Sequence, residues 1–204
     1  MKKIFMMAVM AVAALTANAQ NEKGQFTLMP KVGINISTIT GGDFKEDKKA
    51  KAGFVGGVEA EYGISDNFGL AFGLLYSMEG VKYSEKYGKL KCSVNANLDY
   101  LNIPILAQFY PVKGLAIKAG LQPAFNVRHK AKFEASEGSE SLSVTENLEG
   151  VKSFNLSIPV GVSYEYAKFV LDARYNIGLT KIFKDADQGR NSTFAITLGY
   201  KFAL

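Results

Sequence analysis

The sequence has no tryptophan, one histidine, one cysteine and only five prolines in 204 residues. A lone cysteine, Cys92, cannot close an internal disulfide, so the fold must be held by hydrogen bonding and packing. A lone histidine, His129, cannot supply a His-based triad or a two-histidine metal site within one chain. Long apolar runs are missing too. After the stretch from Ile4 to about Leu15, nothing approaches the roughly 18–20 residues of a membrane-crossing helix. The formal charge of +5 is too mild to argue for a nucleic-acid partner.

The chain begins MKKIFMMAVMAVAALTANAQ, with Lys2 and Lys3, an apolar run, and then the small-x-small triplet Ala17-Asn18-Ala19. That order predicts a secretory signal peptide over residues 1–19, cleaved after Ala19. Loss of Lys2 and Lys3 takes the formal charge from +5 to +3, because the leader holds no acidic residue. No cysteine stands at the new N-terminus, so no bacterial lipoprotein anchor is expected. Residues 20–204 are then long enough for one domain with a sizeable closed sheet.

The most regular stretch, residues 99–127, reads as two long arms joined by a turn at 111–114. Leu101, Ile103, Ile105, Ala107 and Phe109 share one face of the first arm. Leu115, Ile117, Ala119, Leu121, Pro123, Phe125 and Val127 share one face of the second, opposite Lys118, Gln122 and Asn126. The period is two, and arms of about 11–14 residues suit a tilted bilayer-crossing strand. The same alternation predicts eight strands, near 26–39, 52–64, 68–82, 97–110, 115–128, 152–166, 168–181 and 192–204. The connections at 65–67, 111–114 and 166–168 are short. Those at 40–51, 83–96, 129–151 and 182–191 are long and polar, with a weak alternation inside 129–151 that could extend a hairpin. This asymmetry fits periplasmic turns and external loops. The expected fold is all-β, an eight-stranded antiparallel up-and-down transmembrane β-barrel, with a ten-stranded count as the lesser alternative.

Side-chain size chooses which face points outward. The apolar set holds most of the Phe, Leu and Tyr residues, which would overpack an eight-stranded interior, whereas the opposite set is rich in Gly, Ala, Ser and Asn. A soluble lipocalin-like barrel with a greasy cavity is the rival reading. An outward apolar face predicts an inward polar network of Glu59, Glu61, Lys118, Arg128, Glu165, Asp172, Arg174 and Lys201, with both signs present for mutual pairing. Aromatic residues near the short turns, namely Tyr62, Phe68, Phe109, Tyr110, Tyr164, Tyr166, Phe169, Tyr200 and Phe202, predict a periplasmic-side girdle.

Chemistry is scarce. No catalytic, cofactor-binding or metal-binding constellation is expected. His129 reads as a solvated residue at a strand–loop edge, and Cys92 as an incidental thiol in a polar loop. The glycines of residues 53–57 lie inside a strand pattern, where they relieve curvature rather than cradle phosphate. Two acidic groups, Asp43, Glu46, Asp47 and Glu134, Glu137, Glu140, Glu146, Glu149, match no calcium-loop spacing and read as solvated loops. Asp172 and Arg174 share a strand face and read as a buried structural pair.

The segments KVGINI at 31–36, DYLNIPIL at 99–106, IPVGVSYEY at 158–166, LDARYNIGLT at 171–180 and LGYKF at 198–202 together resemble the PorT-like outer membrane β-barrel family of Bacteroidetes-type bacteria. The terminal Tyr200-x-Phe202-x-Leu204 is similar to the signal read by the outer-membrane assembly machinery, although it ends in Leu rather than Phe. Together with the absence of a catalytic pattern, the alternation and loop asymmetry lead to the expectation of a non-enzymatic protein in contact with outer-membrane lipid, with external loops for surface interaction or envelope integrity. A narrow pore for small solutes and a secretion-system component are the alternatives.

Overall fold

The structure is a computed structural model and describes residues 23–41, 48–87, 90–137, 140–183 and 189–204. Residues 1–19, where the leader is expected, and the acidic group Asp43, Glu46 and Asp47 lie outside the described residues. The chain forms β1 (Phe26–Thr40), β2 (Lys48–Ser65), β3 (Phe68–Tyr87), β4 (Leu90–Asn102), β5 (Ile105–Val112), β6 (Leu115–Glu137), β7 (Glu140–Asn147), β8 (Phe154–Tyr166), β9 (Phe169–Gly178), β10 (Arg190–Tyr200) and β11 (Phe202–Ala203). All pairings are antiparallel, and β10 returns to pair with β1 from Lys31↔Gly199 to Thr40↔Arg190, closing the sheet into a ring. β4 with β5, β7 with β8, and β10 with β11 are interrupted single staves, so the ring has eight.

The interruptions have local causes. Pro104 has no N–H to give, and the ladder breaks there, although its carbonyl accepts from Gly73 N at 3.0 Å and Ile103 N donates to Pro123 O at 2.8 Å. Residues 148–153 leave the wall and cross towards the β9–β10 connection. Val151 bridges Phe183, and Lys152 N donates to Ile182 O at 2.8 Å. Leu148, Val151, Ile182 and Phe183 thereby pack over Ile39, Val81, Leu98 and Tyr100, an apolar cap on the external end of the lumen.

Phe72, Leu121, Leu171 and Leu198 are each about half exposed, as are large apolar side chains from every stave, and they form one outward belt. Buried positions alternate with them and are largely polar or small, including Asn35, Ser37, Gln108, Gln122, Asn155 and Thr197. This is the inverse of a water-soluble barrel.

Above the belt the pattern reverses. The stretches 83–96 and 129–151 are, among the described residues, mostly strand rather than loop: β3, β4, β6 and β7 continue upward as one sheet. Their side chains look polar in sequence because water replaces lipid outside them, while the backbone ladder carries on unchanged. One row of this sheet is Lys82, Asn95, Lys132 and Thr145; the next is Tyr83, Val94, Phe133 and Val144. Since Val81 and Leu98 on the second face join the apolar cap, the greasy face has turned inward and the polar face outward. β3 and β4 keep their parity through this change, with Ser77, Glu79 and Val81, and Asn102, Tyr100 and Leu98, all buried; β6 follows them by a β-bulge, in which Asp99 pairs Arg128 and Tyr100 pairs Asn126, leaving Val127 as the extra residue.

The belt and the extension can be separated experimentally. Leu121→Arg, in the belt, is expected to cost about 2–4 kcal/mol in urea titrations of the protein folded in phospholipid bilayers. Leu142→Arg, at the more exposed Leu142 of β7, is expected to change stability by less than about 0.5 kcal/mol.

Candidate functional site

The interior is organised in tiers. Nearest the short turns, Lys201 at the end of β10 holds Glu165 Oε2 at 2.6 Å and Glu61 Oε2 at 3.2 Å. The Tyr110 hydroxyl donates to Glu61 Oε1 and lies 3.2 Å from Gln108 Oε1. One tier higher, five charged side chains from four strands meet. Arg174 Nη2 is 3.0 Å from both Glu59 Oε2 and Asp172 Oδ2, and Lys118 Nζ is 2.8 Å from Asp172 Oδ2 and 3.7 Å from Glu59 Oε1. Lys31 Nζ completes the group at 3.4 Å from Glu59 and 3.5 Å from Asp172. All five are buried. Above them Glu79 accepts from Ser77 Oγ and Thr193 Oγ1, each at 3.0 Å, and Asn35 Nδ2 donates to Ser77 Oγ at 2.8 Å. The apolar cap follows.

Each tier is placed by strand parity. Glu59 and Glu61 are two apart on β2, and Asp172 and Arg174 are two apart on β9, so each pair shares the inner face. The cross-strand partners of Lys31 on either side are Gly57 and Gly199; a Cβ at Gly57 would strike the Leu74 carbonyl and one at Gly199 the Met29 side chain. Between the five-charge group and the Ser77–Asn102 tier lies a cavity of about 20 Å³, the volume of a single water, bordered by Lys31, Arg174, Asn102 and Gln122.

Seven of the eight residues expected inside are there: Glu59, Glu61, Lys118, Glu165, Asp172, Arg174 and Lys201. Arg128 is not. The bulge at Val127 turns it to the outer face, where its side chain is 52% exposed and its Nη1 lies 3.7 Å from the fully buried Asp99. Tyr76 also donates to that carboxylate, at 2.6 Å. Among the aromatic residues, Tyr62, Phe68, Phe109, Tyr166, Phe169 and Phe202 are exposed and Tyr164 and Tyr200 half-buried. Tyr110 departs from them: it follows Phe109 on the same strand, so it points into the lumen and is 7% exposed. Sequence reasoning missed Lys31 and Glu79. Lys31 shares its parity on β1 with Thr27, Asn35 and Ser37, a polar row that marks the inner face.

His129 lies within β6 rather than at a strand end, exposed, with Nδ1 2.8 Å from Asn126 Oδ1. Cys92 lies on β4 opposite Glu85 and Ala135, half-buried, and not in a loop. Glu134 on the outer face of β6 is tied to Lys132 at 2.5 Å and accepts from Ser93 Oγ at 3.2 Å; Glu146 and Glu149 are exposed. The side chains of Glu137 and Glu140 lie outside the described residues. Among the described residues no three His, Cys, Asp or Glu side chains converge.

Residues 18–184 match the family described as "Outer membrane protein beta-barrel domain". No curated protein matches the chain. Among solved structures, the attachment invasion locus protein Ail of Yersinia pestis is similar at 16% identity and a TM-score of 0.49, over 88% of this chain and 99% of that one. Neisserial surface protein A is similar at 17% identity and 0.46, over 87% and 97%. OprG of Pseudomonas aeruginosa is similar at 15% identity and 0.41, over 91% and 99%.

The five-charge group has three cations and two anions. Glu59→Gln leaves Lys31, Lys118 and Arg174 facing one carboxylate and is expected to cost about 3–5 kcal/mol of folding stability in bilayer urea titrations. Lys31→Met leaves two of each sign and is expected to cost less than half as much.

Proposed function

The chain belongs to the family of outer membrane protein β-barrel domains, and on that premise we propose that it is a sealed barrel that holds its external sheet at the bacterial surface for contact with a partner outside the cell. The observation that carries this reading is the sheet above the lipid belt. Its inner face carries Phe133, Leu142 and Val144, all exposed, with Leu142 at 80%. Among the described strands, β7 pairs only with β6, so its other edge offers a row of unpaired N–H and C=O groups. An extended segment of a partner polypeptide fits such an edge as an added strand, with its alternate side chains against Leu142 and Val144.

The tiers of side chains and the 20 Å³ cavity support a sealed barrel over a narrow solute pore. The sole histidine, exposed and held by an asparagine, supports a non-enzymatic role. The same proposal includes residues 1–19 as a cleaved leader, residues 20–204 as the mature barrel, and delivery by the assembly machinery through Tyr200-x-Phe202-x-Leu204. It includes the aromatic girdle of Tyr62, Phe68, Phe109, Tyr164, Tyr166, Phe169, Tyr200 and Phe202. The PorT-like subtype rests on the 31–36, 99–106 and 158–166 segments.

In planar bilayers the folded protein is expected to give no steady conductance; stable open channels would overturn the sealed reading. On intact cells, a photo-cross-linker at Ser143 is expected to yield a discrete adduct that Leu142→Arg with Val144→Arg abolishes. An adduct indifferent to those substitutions would remove β7 from the contact.

A further inference from the structure

The outward belt is not uniform. Where the closing strand meets the first two, an apolar groove of about 350 Å³ runs along the β10–β1–β2 seam, a volume at the small end of pockets that hold organic ligands. Val32, Phe54, Leu198 and Tyr200 wall it, and Pro30 and Gly56 form its floor. At Gly56 the outer row lacks a side chain, and the Phe54 ring leans across that position to form one wall. Val32 pairs Leu198 on one side and Gly56 on the other, so the outer row that should carry three bulky groups carries two.

The groove has a direction. Tyr200 is the last residue of β10 and packs edge-on against Phe169, ring centroids 5.1 Å apart, at the short-turn end of the barrel. Phe54 lies eleven residues up β2 from Ser65, well inside the belt. At the short-turn rim stands Lys168, exposed on the turn between β8 and β9, with its carbonyl accepting from Lys201 N at 2.8 Å. An apolar channel that opens sideways into hydrocarbon, lined at this end by Phe169, with the exposed Lys168 next to Phe169 in the chain, is complementary to one kind of molecule, an acyl chain carrying an anionic head.

We propose that this seam binds a phospholipid of the periplasmic leaflet, one acyl chain lying in the groove between the Phe54 ring and Leu198 and its phosphate against Lys168. The inference rests on the outer-membrane placement of the barrel. It goes beyond general solvation by lipid, because the other outward rows have side chains where this one has a glycine. It places the lipid on the closing seam, where the chain's last strand meets its first.

The test uses the mature chain purified in a mild detergent and titrated with palmitoyl-oleoyl phosphatidylglycerol or the matching phosphatidylethanolamine, with bound lipid counted by native mass spectrometry. Heat-modifiable migration on gels reports separately that the barrel has formed. One retained phospholipid per barrel is expected. Gly56→Leu pushes the Phe54 ring into the groove; its Cβ would meet that ring at 2.7 Å, the end of a rotatable side chain, and the Lys31 carbonyl at an ordinary 3.4 Å. It is expected to weaken retention about tenfold or more. Lys168→Asn removes the charge while tolerating the positive φ of 74° at that turn position. It is expected to weaken retention about fivefold for both lipids. Ala119→Leu, on the outer face of β6, is the control and is expected to change nothing. Equal retention by all variants overturns the proposal. So does a dimer that Gly56→Leu dissolves, which would assign the groove to a second copy of the chain. A barrel that fails to show heat-modifiable migration would instead count against the membrane reading itself.

Discussion

Inside hydrocarbon no water is available to satisfy a backbone N–H or C=O, so every strand must have a neighbour on both sides and the sheet must close. Closure here is the ladder between β1 and β10, unbroken from Lys31↔Gly199 to Thr40↔Arg190. The rest of the architecture depends on it. Eight staves give a lumen only as wide as side chains can fill, so inward positions must be small or mutually satisfied. The outward positions, freed from that limit, carry the Phe, Leu and Ile side chains that water would reject.

The charges inside are a response to the same narrowness. Glu59, Lys31, Lys118, Asp172 and Arg174 come from β2, β1, β6 and β9; the Lys118–Asp172 and Arg174–Glu59 pairs cross the lumen and join strands that are not neighbours. Backbone ladders cannot do this, because they connect adjacent strands alone. Isolated, any one of these charges would be strongly unfavourable in a dry interior; as a group each cation has at least one carboxylate oxygen within 4 Å.

Much of this was legible in the alternation of the chain. A period of two is insensitive to which strand pairs with which, so all eight staves and the outward face followed from it. It is blind to an inserted residue. The count from Lys118 through Gln122 and Asn126 leads to Arg128 on the inner face, and only the bulge at Val127 reverses that. Tyr110 is readable by parity, since Phe109 and Tyr110 cannot share a face; its residue type alone suggests the girdle. The upward continuation of β3, β4 and β6 was hidden for a different reason. Outside the membrane a strand has no apolar demand on its outer face, and Lys82, Asn95, Lys130 and Lys132 resemble a loop.

The reversal at Asp99 and Arg128 also acts as a waterline. Were the barrel to sink, Lys82, Lys130 and Lys132 would enter hydrocarbon; were it to rise, Phe125, Val127 and Leu101 would be lifted into water. Either displacement is opposed, so the molecule floats at one draught. The ten residues of β6 from Arg128 to Glu137 therefore stand as a mast of fixed height, roughly 30 Å along the strand, stepped at its foot by a single inserted valine.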